Sequence, residues 1–265
     1  MDQIEAFKNS QKQGWAHFAP LEIFTTPTAA ELVKFARVVA GQLVLDVCCG
    51  TGVVGVTAAR KGAEVTGLDF TPELLARAHE NSRVAKVAVD WQDGDVEALP
   101  FPDNTFDVVL SQFGHIFAPR PEVAIGEMLR VLRPGGTLAF STWPPEHYAG
   151  RIGALIARYL PPPPAGLAAP ADWGDVNIVR ERLGETVRDL TFSRGVQRAP
   201  ALSPQHFREL AERSAGPLVT MVEKLSATDP ARLEAFRREY EAIASEYLED
   251  NVLRQDYLLT RATKV

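Results

Sequence analysis

The chain has 265 residues, 46% of them hydrophobic, with 28 basic against 34 acidic side chains and a net charge of −6, enough to bury one large core or a core with a subdomain. No run of about five like basic residues offers a footprint for a phosphate backbone, so nucleic acid is not an expected partner. No apolar run approaches the roughly 20 residues that span a bilayer, and the opening MDQIEAFKNSQKQGW has neither the apolar core nor the cleavage pattern of a signal peptide, so the expected setting is cytoplasmic, with no membrane partner.

Residues 1–39 carry Phe7, Trp15, Phe18, Leu21 and Phe24, which suit either a helix packed on the core or a hinged cover over a site. From Leu43, LVLDVCCG is a short apolar run ending in glycine, as a buried parallel strand reads. VVGVTAARKG has helical spacing and closes on Gly62 as a C-cap. AEVTGLDF is a second strand, and TPELLARAHENS opens a helix with Thr71 as N-cap, Pro72 at the first helical position and Glu73 in the first turn. A third strand lies within KVAVDWQDGD and a fourth in FDVVLSQF; EVAIGEMLRVL is a helix, and GTLAFSTW is a fifth strand after a turn over Arg133 to Gly136. Residues 40–143 therefore predict a doubly wound α/β sheet whose ligands bind beyond the carboxyl ends of the strands.

The two cysteines, Cys48 and Cys49, are adjacent. They form no disulfide framework, a bridge between neighbours would strain the peptide, and two ligands do not enclose a zinc ion. They read as small apolar filler at a strand end, and no metal is expected. Around them Gly50, Gly52 and Gly55 fall as G-x-G-x-x-G, a weak signal alone, since a tight strand-to-helix turn needs nothing more. Gly50, Asp69, Asp95 and Gln112 all fall at the carboxyl ends of strands, and this convergence is the stronger observation. Asp69 follows Gly50 by 19 residues, which suits a ribose diol and makes dinucleotide binding the first reading. Asp46 inside the first strand and the pair Asp93 and Asp95 would repel a pyrophosphate and point instead to a cationic ligand.

In order and spacing, VLDVCCGTG, VTGLDFTPELLARA, GDVEALPFPDNTFDVVLSQF and EMLRVLRPGGTLAFSTW resemble the class I S-adenosylmethionine-dependent methyltransferases, in the group similar to the ubiquinone and menaquinone biosynthesis enzymes. The resemblance covers residues 40–143. It implies a seven-stranded Rossmann-like sheet with an N-terminal helical segment and helical insertions after strands 5 and 6. It further implies that Gly50 and Gly52 pass beneath the methionine part of S-adenosylmethionine, with Cys48 and Thr51 in the same loop. Asp46 faces the cofactor's amino group, Asp69 takes the ribose hydroxyls with Phe70 following it, and Asp95 accepts from the adenine amino group with Val96 beside it. Gln112 is a contact on the cofactor side or at the entrance. His115 is a candidate general base or, equally in keeping with its apolar neighbours, a wall of the pocket.

The remaining chain is expected to describe the methyl acceptor. Residues 144–185 begin with an apolar helical segment containing Ile152, Leu155, Ile156 and Tyr159 and pass into the prolines 161–164, a rigid linker or part of a lid. VRDLTFSRGVQ and LRQDYLLTRATKV read as an antiparallel pair of strands at the sheet edge, separated by two or three helices within residues 186–265. The expected whole is one methyltransferase domain over residues 1–265, a monomer or homodimer acting on a small apolar or aromatic metabolite. A binding module without turnover and a nicotinamide-dependent reductase are the competing readings.

Overall fold

The computed structural model describes residues 3–160 and 169–265; the prolines 161–164 lie outside the described residues. Helix α1 (Gln3–Trp15) and, after a short 3₁₀ turn, α2 (Glu22–Phe35) precede the sheet. The core then alternates as β1 (Leu43–Val47), α3 (Val53–Ala59), β2 (Glu64–Asp69), α4 (Pro72–Ala85), β3 (Asp90–Asp93), β4 (Phe106–Gln112), α5 (Pro121–Val131) and β5 (Leu132–Thr142). Helices α6 (Tyr148–Tyr159) and α7 (Val176–Leu183) lead to β6 (Val187–Pro200). Then come α8 (Pro204–Ser214), α9 (Gly216–Thr228), α10 (Pro230–Ser245), the two-residue β7 (Leu248–Glu249) and β8 (Val252–Lys264).

The sheet order is β3-β2-β1-β4-β5-β8-β6, with β7 paired to β8. The first five strands are parallel, while β8 runs antiparallel between β5 and β6. The doubly wound sheet expected from the alternating apolar runs is thus present, and the last two long strands form the expected antiparallel pair at one edge. The eighth strand is β7, too short for a periodic signal. The stretch Arg133 to Gly136 is no separate turn: β5 begins at Leu132, and its pairing with β4 jumps from Phe106↔Leu132 to Val108↔Thr137. The extra residues form an irregularity inside the strand, with Gly135 at φ +77°.

Both faces of the sheet are covered, which is why its strands read as unbroken apolar runs. On one face Ala29, Leu32 and Val33 of α2 and Val54 and Ala58 of α3 pack on Val44, Val108 and Ala139. On the other, Ile125 and Met128 of α5, Val179 and Leu183 of α7, and Trp173 pack on Leu45, Val109 and Phe140. A separate apolar cluster joins α6, α8, α9 and α10 through Tyr148, Ile152, Phe207, Met221, Phe236 and Tyr240, and reaches Ala199 of β6 and Leu253 of β8. Because β8 runs opposite to β5, with Thr142 beside Leu258, residues 252–257 continue past the carboxyl end of β5. The helical layer therefore stands over the edge of the sheet where a ligand is expected.

Helix ends explain the local geometry. Thr71 occupies the N-cap of α4, but its side chain makes no cap bond; the Asp69 Oδ1 accepts from the Thr71 N–H at 2.9 Å instead. The C-cap of α3 is Arg60 and not the expected Gly62; Gly62 turns the chain two residues later, at φ +86° with its N–H on the Ala59 carbonyl at 2.9 Å, the left-handed conformation glycine adopts without penalty.

Candidate functional site

The site forms where β1 ends in a glycine-rich loop. Gly50, at φ +56°, has nothing within 4 Å of where a Cβ would stand, so its backbone faces open space. Gly52, at φ +78°, is a glycine for a different reason: a Cβ there would lie 2.5 Å from the Trp91 ring and 2.9 Å from the Ala78 Cβ. Gly55 and Gly67 meet the same indole, with Trp91 atoms 2.9 Å and 2.2 Å from their ideal Cβ positions. The buried Trp91 thus fixes two of the three glycines of the motif, and only Gly50 presents an open cradle.

Asp46 sits mid-sheet, 1% exposed. Its Oδ2 accepts from the Gly55 N–H at 2.9 Å, while its Oδ1 is buried with no partner. Desolvation, only partly offset by the Gly55 bond, pushes its carboxyl up to about 8. Asp69 is also buried and braces the loop from β2: Oδ2 accepts from the Gly50 N–H at 2.8 Å and Oδ1 from the Thr71 N–H at 2.9 Å. Burial raises its carboxyl as well. An ionised carboxylate offers about four lone-pair sites, so two remain on Asp69 for a diol. Thr51 is buried with its Oγ1 unpartnered, and its carbonyl accepts from Asn81 Nδ2 at 2.9 Å. Phe70 follows Asp69 half-buried.

Cys48 holds a left-handed conformation, φ +52°, and its Cβ and carbonyl press on Gly114, where a Cβ would lie 2.4 Å from the Cys48 Cβ. Burial and the surrounding aspartates push both thiols well up, which suppresses thiolate chemistry. Among the described residues no group of His, Cys, Asp and Glu could hold a metal ion, and no helix is long and apolar enough to cross a membrane.

Beyond β3, Asp93 is exposed and Asp95 is half-buried, more open than Asp46 or Asp69, its side chain 39% exposed, and its Oδ1 accepts from the Glu97 N–H at 2.9 Å. Val96 beside it is buried in the core. Lys8 of α1, which no sequence pattern marked, pairs with Asp95 Oδ2 at 2.5 Å. At the end of β4, Gln112 donates from Nε2 to the Thr25 carbonyl of α2 at 2.8 Å, and its Oε1 is buried and unpartnered. His115 follows in a 3₁₀ turn, fully buried, its ring 4.7 Å from Phe140 and 4.9 Å from Trp173, with both ring nitrogens unpartnered. Desolvation, then the nearby Arg182 charge, lowers its pKa to about 3.

Next to Gln112, Phe113 stacks on Trp143 with ring centroids 3.8 Å apart and planes at 10°, and Tyr257 of β8 meets Phe113 edge-on at 6.1 Å. An aromatic cluster therefore stands at the carboxyl ends of β4 and β5, with Phe113 and Tyr257 buried and Trp143 partly exposed. The unpartnered buried oxygens of Asp46 and Gln112 are acceptors, so they suit a ligand rich in donors and positive charge beside Gly50, while the Thr51 hydroxyl can donate or accept. An S-adenosylmethionine molecule, with its ammonium, ribose diol and adenine amine, fits that donor demand; a pyrophosphate does not.

A family model described as a methyltransferase domain matches residues 44–136. An uncharacterised protein of Mycobacterium tuberculosis is 33% identical over 264 residues, covering 98% of this chain and 96% of its own. A demethylmenaquinone methyltransferase of Thermus thermophilus is 39% identical over 130 residues, 48% of this chain and 59% of that one. Among solved structures, one described as a putative methyltransferase from Bacillus halodurans superposes with a TM-score of 0.58 at 21% identity, over 89% of this chain and 98% of its own, a likeness of fold.

Proposed function

The chain belongs to the class I S-adenosylmethionine-dependent methyltransferases, in the group that includes the ubiquinone and menaquinone biosynthesis enzymes, and from that premise we propose that it methylates a small aromatic metabolite held against Phe113, Trp143 and Tyr257. The observation that carries the acceptor class is this aromatic cluster, with the flat Phe113–Trp143 stack beside the cofactor-side Gln112; aromatic rings prefer such partners over an aliphatic chain of equal size. The Thermus relative, which shares about half of this chain, is named for demethylmenaquinone, and a quinol-like or phenolic ring is the acceptor that best suits both the name and the cluster.

When bound, S-adenosylmethionine supplies a methyl group already activated by its positive sulfur. The chain's residues then need to position it and keep water out. Asp46 Oδ1 would hold its ammonium, the Gly50 backbone would lie along the methionine part with Cys48, Thr51 and Gly52 shaping the loop, and Asp69 would hold the ribose diol with Phe70 beside it. Asp95 and Val96 would hold the adenine, with Gln112 on the cofactor side of β4. His115 lies fully buried against Phe140 and Trp173, on the sheet face opposite the Phe113 cluster, so it enters the proposal as a wall residue and not as the proton acceptor. Burial keeps its ring neutral at every working pH, while a pKa of about 3 makes it a weak base, so alignment carries the transfer and the proton leaves only as the new bond forms. The acceptor is a small molecule taken from solution, with no nucleic acid or membrane required.

The test incubates the protein with S-adenosylmethionine and a set of phenols, quinols, indoles and aliphatic amines and reads products by mass spectrometry. Gain of one CH₂ on an aromatic member supports the proposal; gain confined to aliphatic amines contradicts it.

A further inference from the structure

Glu97 is outside the residues assigned to the cofactor, yet it is a buried carboxylate beside them that holds two cations. Its side chain is 0% exposed. Oε1 accepts from the Arg120 N–H at 2.6 Å, and Oε2 accepts from Arg120 Nε at 2.9 Å and lies 2.8 Å from Arg120 Nη2. The same Oε2 also accepts from Lys8 Nζ, the ammonium that touches Asp95. One buried carboxylate therefore joins α1, the Asp95–Val96 loop and the residue that precedes α5.

The far end of α1 is held independently. The Trp15 ring lies 4.7 Å from that of Phe117. Gly14 approaches α9 so closely that a Cβ would stand 2.6 Å from the Gly216 carbonyl oxygen. Helix α1 thus crosses from the helical layer to the end of β3, and Lys8 is its attachment on the β3 side. Asp95 is open enough to meet a ligand, whereas Glu97 is wholly enclosed. A donor arriving at Asp95 competes with Lys8 for Oδ2 and leaves Glu97 untouched. Glu97 is wholly buried between two cations, Arg120 and Lys8, and giving up one of them would leave its desolvated charge less compensated, so Glu97 retains Lys8 when Asp95 changes partner.

We propose that Glu97 is a positioning residue for the cofactor: it holds Lys8, and with it α1, across the Asp95–Val96 shelf after Asp95 has turned to the adenine amine. The inference rests on the assignment of Asp95 to the adenine. A helix held across a bound ligand slows departure more than arrival, so the effect falls mainly on the dissociation rate.

The experiment follows S-adenosylhomocysteine dissociation by stopped-flow tryptophan fluorescence in the wild type, Lys8→Met, Lys8→Arg, Glu97→Gln and the Lys8→Met/Glu97→Gln double variant. Hydrogen exchange over residues 3–15 is measured alongside. Losing a charge-assisted contact predicts dissociation about tenfold faster in Lys8→Met, with a much smaller change in association. Exchange in α1 rises, Lys8→Arg restores the slow release, and the double variant is no faster than Glu97→Gln alone. Wild-type release in Lys8→Met, or two losses that multiply in the double variant, overturns the proposal. If Glu97→Gln does not fold, the Lys8→Met and Lys8→Arg pair still decides it. A wild-type protein that does not bind S-adenosylhomocysteine would overturn the adenine assignment itself, a distinct outcome.

Discussion

Replacing Asp46 with asparagine tests the electrostatics of the site with little change of shape. In the empty fold its carboxyl stands at about 8 against an ordinary 3.8, a rise of about four units. At about 1.4 kcal/mol per unit this places on the order of 5 kcal/mol between the neutral and ionised forms, chiefly desolvation. A ligand ammonium on the unpartnered Oδ1 favours the ionised form, so binding is linked to proton loss below pH 8. At pH 6 about one site in a hundred is ionised before binding, and S-adenosylhomocysteine affinity should climb by up to tenfold per pH unit from 6 to 8. Above that the rise ends as the ligand's own α-amino group begins to deprotonate. Asp46→Asn should bind about 10- to 100-fold more weakly at pH 8, since a hydrogen bond to a charged group contributes about 1.5–3 kcal/mol, and its affinity should be flat between pH 6 and 8. Calorimetry across that range reads both. Because the folded pKa is raised above the unfolded one, the folded chain binds the extra proton between about pH 4 and 8. The unliganded protein therefore loses stability as pH rises through that window, and ligand restores it. A wild-type affinity independent of pH, or an Asp46→Asn protein that keeps the acid limb, would refute the reasoning.

Other perturbations separate packing from chemistry. Cys48→Ala with Cys49→Ala should lower stability by about 1–2 kcal/mol and leave S-adenosylhomocysteine affinity within about threefold; a folded double variant that no longer binds would assign the thiols a role. Gly67→Ala places a Cβ 2.2 Å from Trp91 and should destabilise the fold by about 1–3 kcal/mol, read by urea unfolding, and Trp91→Phe in the same chain should recover part of the loss. His115→Gln should change kcat at saturating acceptor by far less than the 10²-fold of an efficient base, with no inflection between pH 5 and 9 attributable to the ring; a loss of about 10²-fold or more in a folded variant would make it the proton acceptor after all.

The alternation of β1, α3, β2 and α4 was legible because its punctuation is local: a glycine after the β1 run, a proline at N1 of α4, and Gly62 just beyond α3. The acids at the strand ends were legible for the same reason, since a doubly wound sheet fixes which end of each strand meets a ligand. What decides the rest is distant in sequence. Gly52, Gly55 and Gly67 answer to the Trp91 indole, so a motif that reads as wholly ligand-facing has one glycine with open space beside it. Lys8 meets Glu97 across 89 positions, and nothing in GDVEALPF marks its glutamate as the anchor of an N-terminal helix. The Arg133 to Gly136 segment carries turn residues that the paired strands absorb as an irregularity, because turn propensity does not record whether a neighbouring strand continues the ladder. For His115 the flanking apolar residues indicated a neutral ring, but the depth of burial came from Trp173, supplied by a segment far along the chain.

The most direct measurement is the crystal structure of the protein with S-adenosylhomocysteine. It should show the amino group on Asp46 Oδ1, the Gly50 backbone beneath the homocysteine, the ribose hydroxyls on Asp69 and the adenine amine at Asp95. Ligand bound away from the Gly50 loop, or an amino group that does not meet Asp46, would contradict the assignment.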